Sequence, residues 1–197
     1  GCGTAGSGAL ADGVGLGLGV GVFVGTGEGD TLISGNSSGV MLFAGGIILT
    51  FCDTVSCSSE YAGTNDNAGE AGHIRLSENG PVGFHKAGSF EGFCSGNGLA
   101  QLGYTLGLEQ VQAGNHPLYF QKGMAPKDVT AKTIADAARA GDQTALAVYR
   151  ICGEYLGKGL SVILDILNPE IIVLGSIFGR CQDLLWPAAQ KTIGQEA

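Results

Sequence analysis

The sequence predicts an α/β fold, and three consecutive features carry that prediction. Leu146, Val148, Ile151, Leu156, Leu160, Ile163, Leu164 and Leu167 recur at mostly three- and four-residue spacing, the period of a long helix with one apolar face. Ile171-Ile172-Val173-Leu174 follows as a wholly apolar run, the pattern of a central strand in a parallel sheet. Gly175 then opens a turn into a further helix over Asp183–Ile193. A helix, a buried strand, a glycine turn and a helix make an α/β alternation. The 197 residues, 44% of them hydrophobic, suffice for the core of one domain or one lobe of a larger enzyme.

The elements divide at about residue 60. Sixteen of the first 46 residues are glycine, with strict alternation through Gly13-Val-Gly-Leu-Gly-Leu-Gly-Val-Gly21. Such a stretch can form a strand with one face of bare backbone. Val20–Thr26 reads as a strand entering a glycine turn, and Leu42–Phe51 as a second strand. Residues 1–60 are thus a glycine-rich, atypical segment, and 61–197 form the α/β lobe. Within that lobe Gly72–Leu76 reads as a short strand, Ser89–Asn97 as a glycine-rich loop, and Gly98–Leu108 as the start of a helix. Asp128 or Thr130 is the N-cap of a helix that runs to Ala140 and stops at Gly141. Asp142 caps the long helix, and Asn168-Pro169 ends it.

Charge narrows the partners. The net charge is −8, and residues 1–74 hold seven acids and no Lys or Arg. Phosphate backbones require clustered cations, so this pattern argues against nucleic acid and against an anionic membrane surface. The longest apolar run, Val40–Cys52, has 13 residues, against the roughly 20 a bilayer-spanning helix needs. No basic n-region of a secretory signal precedes it, which makes the cytoplasm the expected location. The six cysteines include no C-x-x-C pair and read as buried thiols of a reducing compartment.

Chemistry concentrates in Gly69-Glu70-Ala71-Gly72-His73, Gly88-Ser89-Phe90-Glu91 and Ser95-Gly96. Glycines let the backbone approach a small ligand. Carboxylates accept charge-assisted hydrogen bonds from hydroxyls, and a neutral imidazole can donate or accept one, which suits a polyhydroxylated ligand. Solvated loop carboxylates would have the same composition, and these residues by themselves leave both readings open. A second motif, Gly25-Thr26-Gly27-Glu28-Gly29, presents glycine amides that can cradle phosphate oxygens at a strand-to-turn junction. Gly175 and Ser176 follow the apolar strand at the edge where open α/β sheets bind ligands, although a plain strand exit looks the same.

The ordered set G-E-x-G-H, G-x-x-E, S-G and N-P-E-I-I-V-L-G resembles the ROK family of repressors, open reading frames and sugar kinases, from about Gly63 to Ile193. The resemblance implies the ribonuclease-H-like, actin/hexokinase-type ATPase fold, with 61–197 as its sugar-binding and nucleotide-facing lobe. It implies sugar contacts from Glu70, His73 and Glu91, and phosphate contacts from Gly25, Thr26, Gly27 and Gly175. ATP and Mg2+ are the implied co-substrate and ion, and a small-molecule sugar the implied partner. A homo-oligomer is also open, since the helix over 142–167 could line either the core or a dimer interface.

Several departures stand beside it. The structural zinc of many family members uses a cysteine cluster whose positions here hold Val82, Phe84 and Ser89, so no zinc is expected. The catalytic Asp is not found: its place aligns near Thr4, and Asn65-Asp66 lies elsewhere in the motif order. The G-T-G motif is further from G-E-x-G-H than the family pattern, and Glu28 and Asp30 add negative charge beside it. By resemblance, the first phosphate loop falls before residue 1 and the closing segment after the last helix, so a chain shortened at both ends is expected. The reading is an ATP-dependent kinase of a hexose or amino sugar, of which this chain supplies the sugar-binding part. Its rivals are a non-catalytic sugar-sensing regulator and a degenerate pseudo-kinase.

Overall fold

A computed structural model describes residues 70–197 except Glu170, together with Thr64 and five strands between residues 11 and 60. These strands are β1 (Ala11–Gly15), β2 (Gly21–Val24), β3 (Gly39–Phe43), β4 (Gly46–Phe51) and β5 (Ser59–Glu60). A hairpin of β6 (Val82–Gly83) and β7 (Lys86–Ala87) follows. The helices are α1 (Phe90–Cys94), α2 (Gly96–Gln112), α3 (Ala131–Arg139), α4 (Gln143–Leu167) and α5 (Ile177–Glu196), with β8 (Ile171–Leu174) between the last two.

The main sheet runs β1-β2-β8-β3-β4-β5. As the apolar run predicts, β8 is interior and parallel, paired to β2 on one side and β3 on the other. Ile172 and Leu174 are buried in the core. The other neighbours, β1 on β2, β4 on β3 and β5 on β4, are antiparallel. The single strand expected over Leu42–Phe51 is instead parts of two, since β3 ends at Phe43 and β4 returns from Gly46 as its antiparallel partner. Continuous apolarity cannot distinguish one long strand from a hairpin, and the glycines at 45 and 46 were the available turn signal.

Helix ends follow local chemistry. Thr130 caps α3, its hydroxyl accepting from the Thr133 amide. Asp142 caps α4 through Oδ1 and the Ala145 amide, 2.8 Å, while Oδ2 accepts from the Leu118 amide, 2.6 Å. Asn168 ends α4 in the left-handed region, φ 42°. The last helix starts earlier than its polar Asp183 suggests, at Ile177, and bends at Cys181, whose φ is −133°. Pro187 inside it has no N–H for the helical ladder.

The core lies where α4 meets α5, α3, α2 and α1. Gly153 and Gly157 on α4 allow this approach to α5. A Cβ on either would come within 2.6 Å of a backbone oxygen, Leu185 or Ala189. The apolar face of α4, including Val148, Leu156, Leu160, Ile163 and Leu164, is spent on this core rather than on an outer surface. Arg139 joins α3 to α5 by a two-pronged contact to Asp183, Nε–Oδ2 2.9 Å and Nη2–Oδ1 2.8 Å, and holds that carboxyl below its usual range. Tyr149 donates to the Ala131 carbonyl, 2.8 Å. Cys94, Cys152 and Cys181 are free thiols, and burial pushes those of Cys94 and Cys152 up, so both stay protonated. Among the described residues no helix is long and apolar enough to cross a membrane.

Two substitutions test these local arguments. Asp142→Ala removes a cap and orphans the Leu118 amide, for an expected loss of about 2 kcal/mol in urea unfolding, whereas Asp142→Asn, with one acceptor oxygen for the two amides, should recover only part of it. Ser176, at φ 59° and ψ −122°, sits where glycine is at ease. Ser176→Gly should therefore raise stability by about 1 kcal/mol in the same measurement.

Candidate functional site

Glu70, His73 and Glu91 are brought to one place by two short elements. The segment expected as a strand over Gly72–Leu76 is a 3-10 turn, Ala71–His73, closed by the His73 amide on the Glu70 carbonyl at 3.0 Å. Only Arg75 makes a strand-like bridge, to Ser89. The turn sets Glu70 and His73 at its two ends, with Nε2 of His73 3.5 Å from Oε2 of Glu70. Both side chains are partly accessible, 35% for Glu70 and 23% for His73.

Glu91 arrives from α1. The stretch expected as a loop over Ser89–Asn97 is α1 and the start of α2, each with a serine N-cap. Ser89 Oγ accepts from the Gly92 amide and Ser95 Oγ from the Gly98 amide, both at 3.0 Å. Low helix propensity of glycine hides these helices in the sequence; close packing overrides it. A Cβ on Gly72 would stand 3.3 Å from Glu91 Cβ and 4.0 Å from its Oε2, so the second carboxylate lies against the middle of the turn that carries the other two groups.

The β6–β7 hairpin encloses the other side. Its two loop residues are Phe84 and His85, with φ of 48° and 56°. Positive φ at a bulky residue costs on the order of 1–3 kcal/mol and persists only under external restraint. Three restraints are present. The side-chain amide of Gln101 on α2 pairs with both backbone groups of Val82, at 2.9 Å each. Ser89 Oγ donates to the Gly83 carbonyl, 3.0 Å. Lys86 Nζ donates to the His73 carbonyl, 2.6 Å. The Phe84 ring lies flat on the His73 ring, centroids 3.5 Å apart and planes 13° apart. Nothing in the sequence singles out Gln101, and Phe84 stands out there only as a position without the cysteine of the family's zinc cluster.

Val82 and Phe84 carry no metal donor, and the Ser89 hydroxyl is engaged with Gly83 and Gly92. These positions do not fit a thiolate zinc site. Among the described residues no group of three or more His, Cys, Asp or Glu side chains is placed to hold a metal. Gly175 ends β8, and Ser176 leads into α5. Gly25, Thr26 and Gly27 lie outside the described residues, as do Glu28, Thr4, Asn65 and Asp66. A separate groove of about 810 Å³ runs between α4 and α5, flanked by Arg150, Glu154, Lys158, Asp183 and Lys191. None of Glu70, His73 and Glu91 lines it.

The mixed sheet with its helical layer is the actin/hexokinase-type fold, as likeness to solved structures shows. A ROK family glucokinase from Streptomyces griseus, in complex with glucose and AMPPNP, superposes with a TM-score of 0.61 at 22% identity, over 83% of this chain and 51% of that one. A ROK family transcriptional regulator, a homologue of the Escherichia coli MLC protein, gives 0.60 at 23%, over 82% and 38%. The ROK family model matches residues 54–196, and the chain belongs to that family. Curated relatives include the DNA-binding transcriptional dual regulator NagC of Escherichia coli, 30% identical over 138 residues, 70% of this chain and 32% of the relative. The glucokinase of Halalkalibacterium halodurans is 34% identical over 125 residues, 62% of this chain and 37% of the relative. The chain thus spans about a third of the length of these curated relatives. Because a DNA-binding protein is among them, the acidic balance of this segment does not exclude nucleic acid as a partner of the family's longer members.

Ser89→Ala should cost about 1–3 kcal/mol in thermal or urea unfolding, since it leaves the Gly83 carbonyl and the Gly92 amide unpaired in a fully buried position. A loss below the error of the measurement would show that the hydroxyl does not join hairpin and helix.

Proposed function

We propose that this chain carries the sugar-binding site of a ROK protein. In the complete protein the site would serve ATP-dependent phosphorylation of a hexose or amino sugar. The observation behind this reading is that Glu70 and His73 stand 3.5 Å apart on a partly accessible turn and that Glu91 of α1 lies against the middle of that turn. Carboxylates accept from sugar hydroxyls, and the imidazole can take either part, so vicinal hydroxyls can be gripped in a fixed orientation. Orientation is a large part of what phosphoryl transfer requires of a protein.

The nucleotide is assigned to Gly175 and to Gly25, Thr26 and Gly27. The first stands at the carboxyl end of a parallel strand before a helix, a setting that suits phosphate. A Mg2+ ion bound with ATP would supply neutralisation of phosphate charge. No general base is assigned to a residue of this chain. The glucokinase relative and the neighbour bound to glucose and AMPPNP support the kinase reading.

The second reading is a sugar sensor without phosphoryl transfer. Its support is the regulator NagC among the relatives, together with Thr4 where the catalytic Asp would align. Both readings need the same sugar site and differ in turnover.

Calorimetry of the chain against a panel of hexoses and amino sugars tests the shared claim. One sugar should give saturable heat, and Glu91→Ala should weaken it by roughly 1–3 kcal/mol, about 5- to 150-fold, by leaving a hydroxyl unpaired. Absence of heat from a folded chain with every sugar rejects the site. Release of ADP from ATP in the presence of that sugar, measured on a longer protein containing this chain, separates kinase from sensor.

A further inference from the structure

We propose that Phe84 is a positioning residue of the sugar site: its ring sets the plane of the His73 imidazole and thereby the direction of the nitrogen that meets the ligand. The inference rests on the sugar-site reading above and adds to it a residue that itself need not touch the sugar.

The hairpin that carries Phe84 is built against its own local preference. Gly83 pairs with Lys86, which leaves a two-residue loop, and both of its residues have positive φ. Loops of this kind favour Asn-Gly, Asp-Gly or Gly-Gly, because an L side chain crowds the backbone there. This chain has Phe84-His85 instead. Core packing does not account for the phenyl group, which is 61% exposed. What the ring does touch is His73, face to face at 3.5 Å between centroids. Gln101, Ser89 and Lys86 clamp the hairpin at Val82, at Gly83 and at the His73 carbonyl, and so fix the stack from three directions. The imidazole is bounded by Phe84 on a face and by Glu70 at Nε2. A ring held in plane points its N–H along one line, and a hydrogen bond to a sugar hydroxyl weakens steeply when that line is missed. A strained, solvent-exposed aromatic residue kept in place by three clamps is the kind of local conflict that accompanies function.

The test replaces the loop by one that the hairpin prefers. Phe84→Asn/His85→Gly removes the strain together with the stack, and Phe84→Tyr keeps the stack. Each full chain is followed by thermal melting, by proton NMR of the His73 ring, and by calorimetry with the sugar panel. The native chain should show His73 ring protons shifted upfield by the phenyl face. The double variant should melt at or above the native temperature, lose the upfield shift, and bind the sugar about three- to tenfold more weakly, the range an aromatic pair supplies. Phe84→Tyr should retain both the shift and the affinity. Native affinity in the double variant would overturn the proposal while leaving the sugar site standing, and so would unshifted His73 protons in the native chain. No binding of any sugar by the native chain would remove the sugar site and, with it, the role given to Phe84.

Discussion

One buried hydroxyl joins the parts of the site. Ser89 has no exposed surface, and its Oγ meets two requirements at once: it caps α1 through the Gly92 amide and donates to the Gly83 carbonyl of the hairpin. Helix α1 carries Glu91, and the hairpin carries Phe84. The neighbouring Gly88, at φ 67°, completes the connection by accepting from the Leu76 and Ser77 amides, which fastens the segment leaving the His73 turn. A Cβ on Gly88 would lie 2.1 Å from the Ser77 carbonyl oxygen, so this crossing admits only glycine. The G-x-x-E motif is therefore a structural joint as well as the source of the acid proposed to meet the ligand.

Behind that joint stands a rigid support. Phe90, the first residue of α1, packs its ring where a side chain on Gly159 of α4 would otherwise be, and Phe93 stacks on Tyr155 of the same helix at 3.5 Å. Helix α4 is in turn fixed to α5 along Gly153 and Gly157. Displacement of Glu91 would thus disturb the largest helix of the core. Interiors packed at crystal-like density transmit such constraints with little give. By contrast, the turn with Glu70 and His73 has no buried residue of its own and depends on hydrogen bonds and on the Phe84 ring for its position.

Among the described residues, Asn168 has positive φ as a helix end, where Asn is tolerated, and the other non-glycine residues with positive φ lie in the proposed ligand regions: Phe84-His85 beside His73, and Ser176 after Gly175. Strain of this kind lowers stability and survives where surrounding contacts over-determine it. At Phe84 those contacts are visible. At Ser176 no side-chain cap hydrogen bond offsets the cost.

Periodicity and capping chemistry determined α3, α4 and β8 from the sequence, because their signals are local: Thr130, Asp142 and Asn168 act within a turn or two of themselves, and an apolar run must be buried somewhere. The three candidate site residues were likewise legible as residue types in a recognisable order. Tertiary structure alone decided that Ser89–Asn97 is helical despite its glycines, that Gly72–His73 turns rather than extends, and that Phe84 lies on His73. Each of those outcomes is accompanied by a neighbour from a different segment: Gly83 bonded to Ser89, Glu91 against Gly72, and Gln101 clamping the hairpin. A sequence shows which groups a residue can bond with; which one it meets depends on a close approach that only the packed chain creates.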